Sequence, residues 1–350
     1  MSSLSLLLVL ACRAASPGSA VGVLVPGTPE PLEPADAVAV ADLDGDGRDE
    51  VVRVRSGAAS WWDRKAELGG LPQAVGRGDV DGDGKEEALI ATGMGREAMD
   101  APARVWAIGA EQATLLWERR TVRSQVTDLH VLPDPGGGPD RVFLVAFDDE
   151  RTVQGGWLRQ GQLEVQHEAA LALRMLPVAS GLLVGRLYGD EARSPGDLTL
   201  VGAGPRTVPT LRGVRALAAA DLDGDGQEDW LIADGWHFAY GQQADATVRL
   251  VPGDGRPARV IARLDSSYTV NELQVGRPPG GGPAVVLATG SHEVVLLQQD
   301  GLGWAPTPIA PAREGTRAVL ARAGDTLSVV VSGQPAVRVP LASGAAMIPP

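Results

Sequence analysis

A nine-residue acidic loop occurs three times in this chain, each time between two apolar runs that read as strands. That recurrence constrains the fold more than any other feature of the sequence. Residues 38–52, 75–90 and 217–232 align without gaps over their centres, each with an apolar lead, a DxDGDGxx(D/E) loop and a second apolar run. Four further segments keep the strand, loop, strand outline without the acids. They are 126–145, with Gly136-Gly137-Gly138 in its turn; 182–201, with a loop from Gly189 to Gly196; 273–290, with Gly280-Gly281-Gly282; and 318–331, with a short Gly324-Asp325 turn. Seven units recurring at about 35 to 55 residues match the spacing of propeller blades.

No helical period interrupts these units, and the connecting segments are strand-rich and broken by Gly and Pro. The predicted class is therefore all-β: a seven-bladed β-propeller of four-stranded antiparallel blades over residues 21–345. The last unit is a strand short, while Val21-Gly22-Val23-Leu24-Val25 precedes the first unit with no blade of its own. This N-terminal strand is predicted to pair into blade seven and close the ring, which removes an open sheet edge.

With 44% hydrophobic and 21% charged residues, the 350-residue chain has enough apolar side chain for a core. A net charge of -13 argues against sequence-independent nucleic-acid binding, which needs clustered Lys and Arg. Cations are the better-matched partner, and three divalent ions would bring the charge to about -7. The single cysteine excludes an intramolecular disulfide. Cys12 follows an apolar stretch and sits in Val9-Leu10-Ala11-Cys12, which resembles the lipobox of bacterial lipoproteins. That resemblance implies a lipidated Cys12, residues 1–20 forming the lipoprotein signal and a short linker, and export to the outer membrane or cell surface. Cleavage near Gly18-Ser19-Ala20, giving a periplasmic or secreted protein, and an apolar N-terminus on an unexported chain are the other readings. No apolar run approaches the ~20 residues that span a bilayer, so membrane contact is expected only through the lipid.

The acidic loops place carboxylates at alternate positions. The candidate ligands are Asp42, Asp44, Asp46 and Glu50; Asp79, Asp81, Asp83 and Glu87; and Asp221, Asp223, Asp225 and Asp229. The seventh position, Arg48, Lys85 or Gln227, would add a backbone carbonyl, which leaves its side chain free to vary. Calcium takes six to eight oxygens, and this spacing offers them from one side, so up to three Ca2+ ions are expected. Carboxylates about 4 Å apart repel by about 4 kcal/mol per pair at an effective dielectric near 20, so the loops should lose order without an ion.

An EF-hand also begins DxDxDG, but needs Glu at position twelve and helical flanks. Here position twelve is Arg53, Ile90 and Ile232, and the flanks are strand-like. The loops resemble instead the FG-GAP or VCBS repeat of the integrin α-subunit propeller and many bacterial surface proteins. That resemblance implies a calcium loop linking two strands of a blade. The Phe-Gly and Gly-Ala-Pro signatures of that family are largely absent, so blade boundaries are not set by the motif.

His130, His167, His237 and His292 form no metal-ligand spacing and read as surface or packing residues. No nucleophile motif of the Gly-x-Ser-x-Gly type is present. Trp61, Trp62, Trp106, Trp117, Trp157, Trp230, Trp236 and Trp304 read first as blade packing and second as a surface for sugar or partner. The leading expectation is a non-catalytic propeller that binds a protein or glycan. A propeller lyase or hydrolase acting on polysaccharide in the central channel and a purely structural scaffold are the competing classes. Ionisable residues gathered in the channel would favour the enzyme.

Overall fold

The structure, a computed structural model, describes residues 23–94, 100–121, 123–147, 152–187, 195–202, 206–208, 212–235, 246–264, 270–278, 283–299, 303–313 and 315–343. Residues 1–20, where a leader with Cys12 is expected, Val21 and Gly22 of the expected closing strand, and also Gly189, Trp236, His237 and Gly280 to Gly282, lie outside the described residues. Every regular element among the described residues is a strand, and no helix is long and apolar enough to cross a membrane. The strands form seven antiparallel sheets, each of four strands except the last, which carries one more. The protein is a seven-bladed β-propeller.

The inner strands of blades one to seven are Ala37–Ala41, Leu71–Gly78, Gln125–Leu132, Arg174–Val178, Val214–Ala220, Val270–Gly276 and Ala318–Ala323. Alternating side chains on these strands go to opposite neighbours, because successive residues point to opposite faces of a sheet. In blade one, Ala37, Ala39 and Ala41 pack with Ala88, Ile90 and Ile108 of blade two, whereas Val38 and Val40 pack with Val319, Ala321 and Val330 of blade seven. Both faces are covered, which explains why this strand is apolar at every position. The core is thus a series of layers between blades. Trp61, Trp117 and Trp230 are buried in it, as expected for packing residues, while Trp62 is half exposed at a turn.

One unit is displaced from its predicted place. Residues 182–201 do pair as strands, Gly181–Gly185 with Leu198–Gly202, but these are the second and third strands of blade four. Its inner strand is Arg174–Val178, which pairs with Gly181–Gly185 across the tight turn Ala179-Ser180. A two-residue turn carries no Gly-rich or acidic signal, so the longer loop after it took the place of the missing one.

The N-terminal closure forms as expected. Leu24–Pro26 pairs with the strand Ala336–Ser343 of blade seven, with Leu24 opposite Ser343 and Pro26 opposite Leu341. Glu30–Leu32 then pairs with the same strand farther along, Leu32 opposite Ala336. Leu24 enters the core between blades six and seven. Its N–H donates to Gln298 Oε1 at 2.7 Å and its carbonyl accepts from Gln298 Nε2 at 2.9 Å, in a buried pair that ties the closing strand to blade six. Gln298→Ala would leave both backbone groups buried without partners, and is expected to destabilise the fold by about 2 to 4 kcal/mol. A denaturant midpoint equal to that of the wild type would contradict this role for Gln298.

Candidate metal centres and the channel collar

Each acidic loop folds on its own carboxylates before any ion is considered. The first aspartate accepts from glycine N–H groups: Asp42 Oδ2 from Gly47 at 2.9 Å, Asp79 from Gly82 at 2.7 Å and Gly84 at 3.0 Å, and Asp221 from Gly224 at 2.7 Å and Gly226 at 3.1 Å. The third and fifth aspartates each accept from the N–H two residues on, as in Asp44 from Asp46 at 3.1 Å and Asp46 from Arg48 at 2.8 Å. These Asx turns wrap the backbone around the carboxylates. The wrap requires the left-handed conformation at Gly45 and Gly47, whose φ values are 80° and 85°. Lys85 N and Gln227 N donate likewise to Asp83 and Asp225 at 2.8 Å, so all three seventh-position residues are fixed through their N–H groups.

The wrap brings one oxygen from each of three acids within 4.8 Å of one another in every loop: Asp42, Asp44 and Glu50; Asp79, Asp81 and Glu87; and Asp221, Asp223 and Asp225. Asp46 and Asp83 stand outside the first two groups, and Asp229 outside the third. The ninth residue has a further task, accepting the N–H of the second: Glu50 from Leu43 at 2.9 Å, Glu87 from Val80 at 2.9 Å and Asp229 from Leu222 at 3.1 Å. Glutamate does this and still reaches the cluster. Aspartate, a methylene shorter, gives its other oxygen to Gly253 N at 2.9 Å instead.

These donor sets fit a hard cation. They are all oxygen, and Asp42 Oδ1 is buried with no hydrogen-bond partner. Burial, followed by the neighbouring aspartates, raises the Glu50 carboxyl above its ordinary value and pushes Glu87 up to about 7, opposed in each case by the backbone N–H bond. A cation in the loop would reverse that penalty. The third loop differs electrostatically: Arg256 Nη2 lies 2.7 Å from Asp223 Oδ2 and its Nε also contacts Asp254. The Arg256 hydrogen bond is the main cause holding the Asp223 carboxyl below the usual range.

The eighth position, which the motif leaves free, reaches to the preceding blade. Glu86 Oε2 accepts from Asp42 N at 3.3 Å and Glu86 N donates to Asp42 O at 3.2 Å, joining blade two to the first loop. Asp49 does the same to Arg322 of blade seven, with N–H bonds of 2.7 and 2.8 Å, and its buried carboxylate also meets the guanidinium groups of Arg322 and Arg77. Glu228 accepts from Ala179 N of blade four at 2.9 Å. In blade three, which has no acidic loop, Asp140 bonds Asp79 N at 3.0 Å. An acid at the eighth position of all three repeats was the available signal for this role.

At the other end of the inner strands lies a second charged assembly. Four inner strands bulge near their starts, at Gln73, Thr127, Arg215 and Asn271. A bulge leaves a residue out of the ladder. Arginines from two of the three unbulged blades, four and seven, meet the carbonyls so freed. Arg174 Nε donates to Arg215 O at 2.6 Å and its Nη1 to Thr127 O, while Arg317 Nη2 donates to Gln73 O. Asp128, His130 and Glu272 complete the collar. His130 Nε2 lies 3.1 Å from Asp128 Oδ2, and Glu272 Oε2 lies 4.0 Å from Arg317. His130 was expected at the surface or in packing; it lies among the residues lining the channel, beside Asp128 of the same strand. Burial opposes ionisation of Asp128, but His130 and then Arg174 hold its carboxyl below the usual range. Burial raises the Glu272 carboxyl, against the pull of Arg317. Arg215 is pushed down to about 10 by burial and then by Arg174.

Comparison with known proteins defines the class by fold alone. No family model and no curated protein matches the chain. Among solved structures it is similar to BBS1N, crystallised in complex with ARL6DN and soaked with lead, at a TM-score of 0.57 and 11% identity, covering 93% of this chain and 98% of that one. BamB from Moraxella catarrhalis also matches, at a TM-score of 0.44 and 13% identity over 91% of this chain and 99% of that one.

The raised Glu87 carboxyl gives a pH prediction. A carboxyl whose folded value is about 7 against an ordinary 4.5 contributes stability that is full below about 4.5 and lost as the pH rises through about 7. Metal-free protein should therefore weaken across that interval, while calcium affinity rises over it as the proton is displaced. Thermal unfolding from pH 4.5 to 8, with calcium and with chelator, checks both trends; parallel curves would contradict them.

Proposed function

We propose that this chain is a calcium-stapled propeller of the FG-GAP or VCBS type, integrin α-like in its loops, which binds a protein or glycan partner and carries out no reaction. The observation that carries this reading is the convergence of three carboxylate oxygens in each of three loops. One ion in each of the first two loops would fix a loop already bonded to the next blade by Glu86 or Asp140, so metal would hold blade to blade as well as loop to loop. Cys12 and its apolar lead support an exported lipoprotein at the outer membrane or cell surface. BBS1N, crystallised with ARL6DN, is a propeller of like fold seen with a protein partner, which supports a protein ligand here.

A second reading, a propeller enzyme acting on polysaccharide in the channel, is favoured by one observation: the gathering of Asp128, His130, Arg174, Glu272 and Arg317 at one end. Two features favour binding over catalysis there. Both arginines are tied to backbone carbonyls, and the Asp128 carboxylate is held ionised beside His130 and Arg174.

To test the proposal, the immobilised protein is exposed to envelope extract and a glycan panel in calcium and then eluted with chelator. Recovery of one saturable partner that an Asp42→Asn, Asp79→Asn double variant fails to retain is the expected result. A folded protein that retains nothing in calcium, or that turns over a polysaccharide, would contradict it.

A further inference from the structure

The third acidic loop already holds a cation, and that cation belongs to the chain. The turn 252–256 lies between the last two strands of blade five, Ala246–Val251 and Arg259–Leu264, and packs against the loop. Arg256 Nη2 is 2.7 Å from Asp223 Oδ2, and Gly253 N–H donates to Asp229 Oδ1 at 2.9 Å. Those carboxylates are the third and ninth positions of the loop, two of the places from which the motif offers oxygens to an ion. The approach is close, because a Cβ on Gly253 would stand 2.7 Å from Glu228 O, so the turn can dock only with glycine there. Asp254 steadies the arginine, accepting from Arg256 N–H at 2.9 Å and meeting its Nε.

The first two loops have no such occupant. Among the described residues, no arginine or lysine pairs with Asp42, Asp44 or Glu50, or with Asp79, Asp81 or Glu87. Blade two gives the nearest comparison. Its Gly109, at the end of the third strand, stands against Glu87 much as Gly253 stands against Asp229, but donates its N–H to Gln112 O at 3.0 Å, inside its own turn. Glu87 therefore keeps its place in the cluster, which Asp229 has left. In loop three the guanidinium relieves the repulsion between neighbouring carboxylates without a metal. An ion entering that loop must separate Asp223 from Arg256, and to gain the ninth ligand it must also take Asp229 from Gly253. Arg256 is half exposed, and an ion pair so placed is weak enough to exchange.

We propose that Arg256 is a built-in competitor for the third metal site: calcium enters loop three by displacing the guanidinium from Asp223, and filling the site releases the turn 252–256 from Asp229. This rests on the calcium reading of the loops. It makes the third loop the last to fill, and it couples that filling to a movement of blade five that the first two loops have no counterpart for.

Calcium titrated calorimetrically into the chelator-treated full chain tests this, with the wild type compared to Arg256→Gln and to Arg259→Gln. The second variant removes the same charge from an exposed residue of the next strand. In Arg256→Gln the third site is expected to tighten at least about fivefold with the two tighter sites unchanged, and in Arg259→Gln all three should stay as they are. Adding Asp225→Asn to Arg256→Gln should abolish the gain, which assigns it to loop three. In the wild type, hydrogen exchange at Gly253 N–H should quicken as the third site fills. A third site unchanged in Arg256→Gln, a gain that Arg259→Gln reproduces or that survives Asp225→Asn, or exchange at Gly253 that slows on filling would each overturn the competitor role and leave calcium in the first two loops standing. Absence of calcium binding by all of these proteins would overturn both readings together.

Discussion

The ring depends on a carboxylate set just ahead of the second strand of a blade, which bonds the backbone of the blade before it. Asp49, Glu86, Asp140 and Glu228 all do this, at four of the seven blade junctions. Sheets packed face to face through apolar layers can slide, since burial has no direction. Hydrogen bonds to fixed N–H groups do have direction, and these fix the angle at which one blade meets the next. At the junction of blades seven and one, where the chain closes on itself, Asp49 is fully buried between two guanidinium groups and two main-chain bonds. An unpaired charge there would carry a heavy desolvation cost, so the closed ring and the paired Asp49 require each other.

The same junction explains how the acidic loops relate to the fold. Asp42 begins the first loop and is also the residue that Glu86 grips, so any force on the loop acts on blade two as well. Lys85 of the second loop lies over Gly45 of the first. The third loop stands apart from this pair: its ninth residue is fully engaged by the backbone, and Arg256 already neutralises part of its charge. Three copies of one motif therefore have two electrostatic settings. The far end of the channel has the opposite character, with arginines capping the carbonyls that the bulges release.

The fold was largely legible because its signal is local and repeated. The acidic loops mark the turn between the first two strands of blades one, two and five, and glycine-rich sequence stands between the same two strands in blades three and six. Blade four was misplaced because Ala179-Ser180 is too short a turn to announce itself. At the loops, the sequence named the residues that come together, but not that Asp229 withdraws from its cluster, since that depends on the reach of one methylene and on Gly253 from another strand. The collar was not legible from any motif. Its members are spread over several blades, and their common mark is a polar residue on an otherwise apolar inner strand. Gln73 and Arg215, each six residues ahead of a first loop aspartate, show that mark only once the repeats are aligned on their loops.

The most direct measurement is calcium titrated calorimetrically into chelator-treated protein at pH 7.5, with hydrogen exchange followed at the loops and at the blade junctions. Two ions bound more tightly than a third are expected, together with slowed exchange at Asp42 and Asp79, whose N–H groups join loop to neighbouring blade. Saturable binding confined to the third loop, or no binding with exchange unchanged at the junctions, would contradict the proposal that cations in the acidic loops hold the blades together.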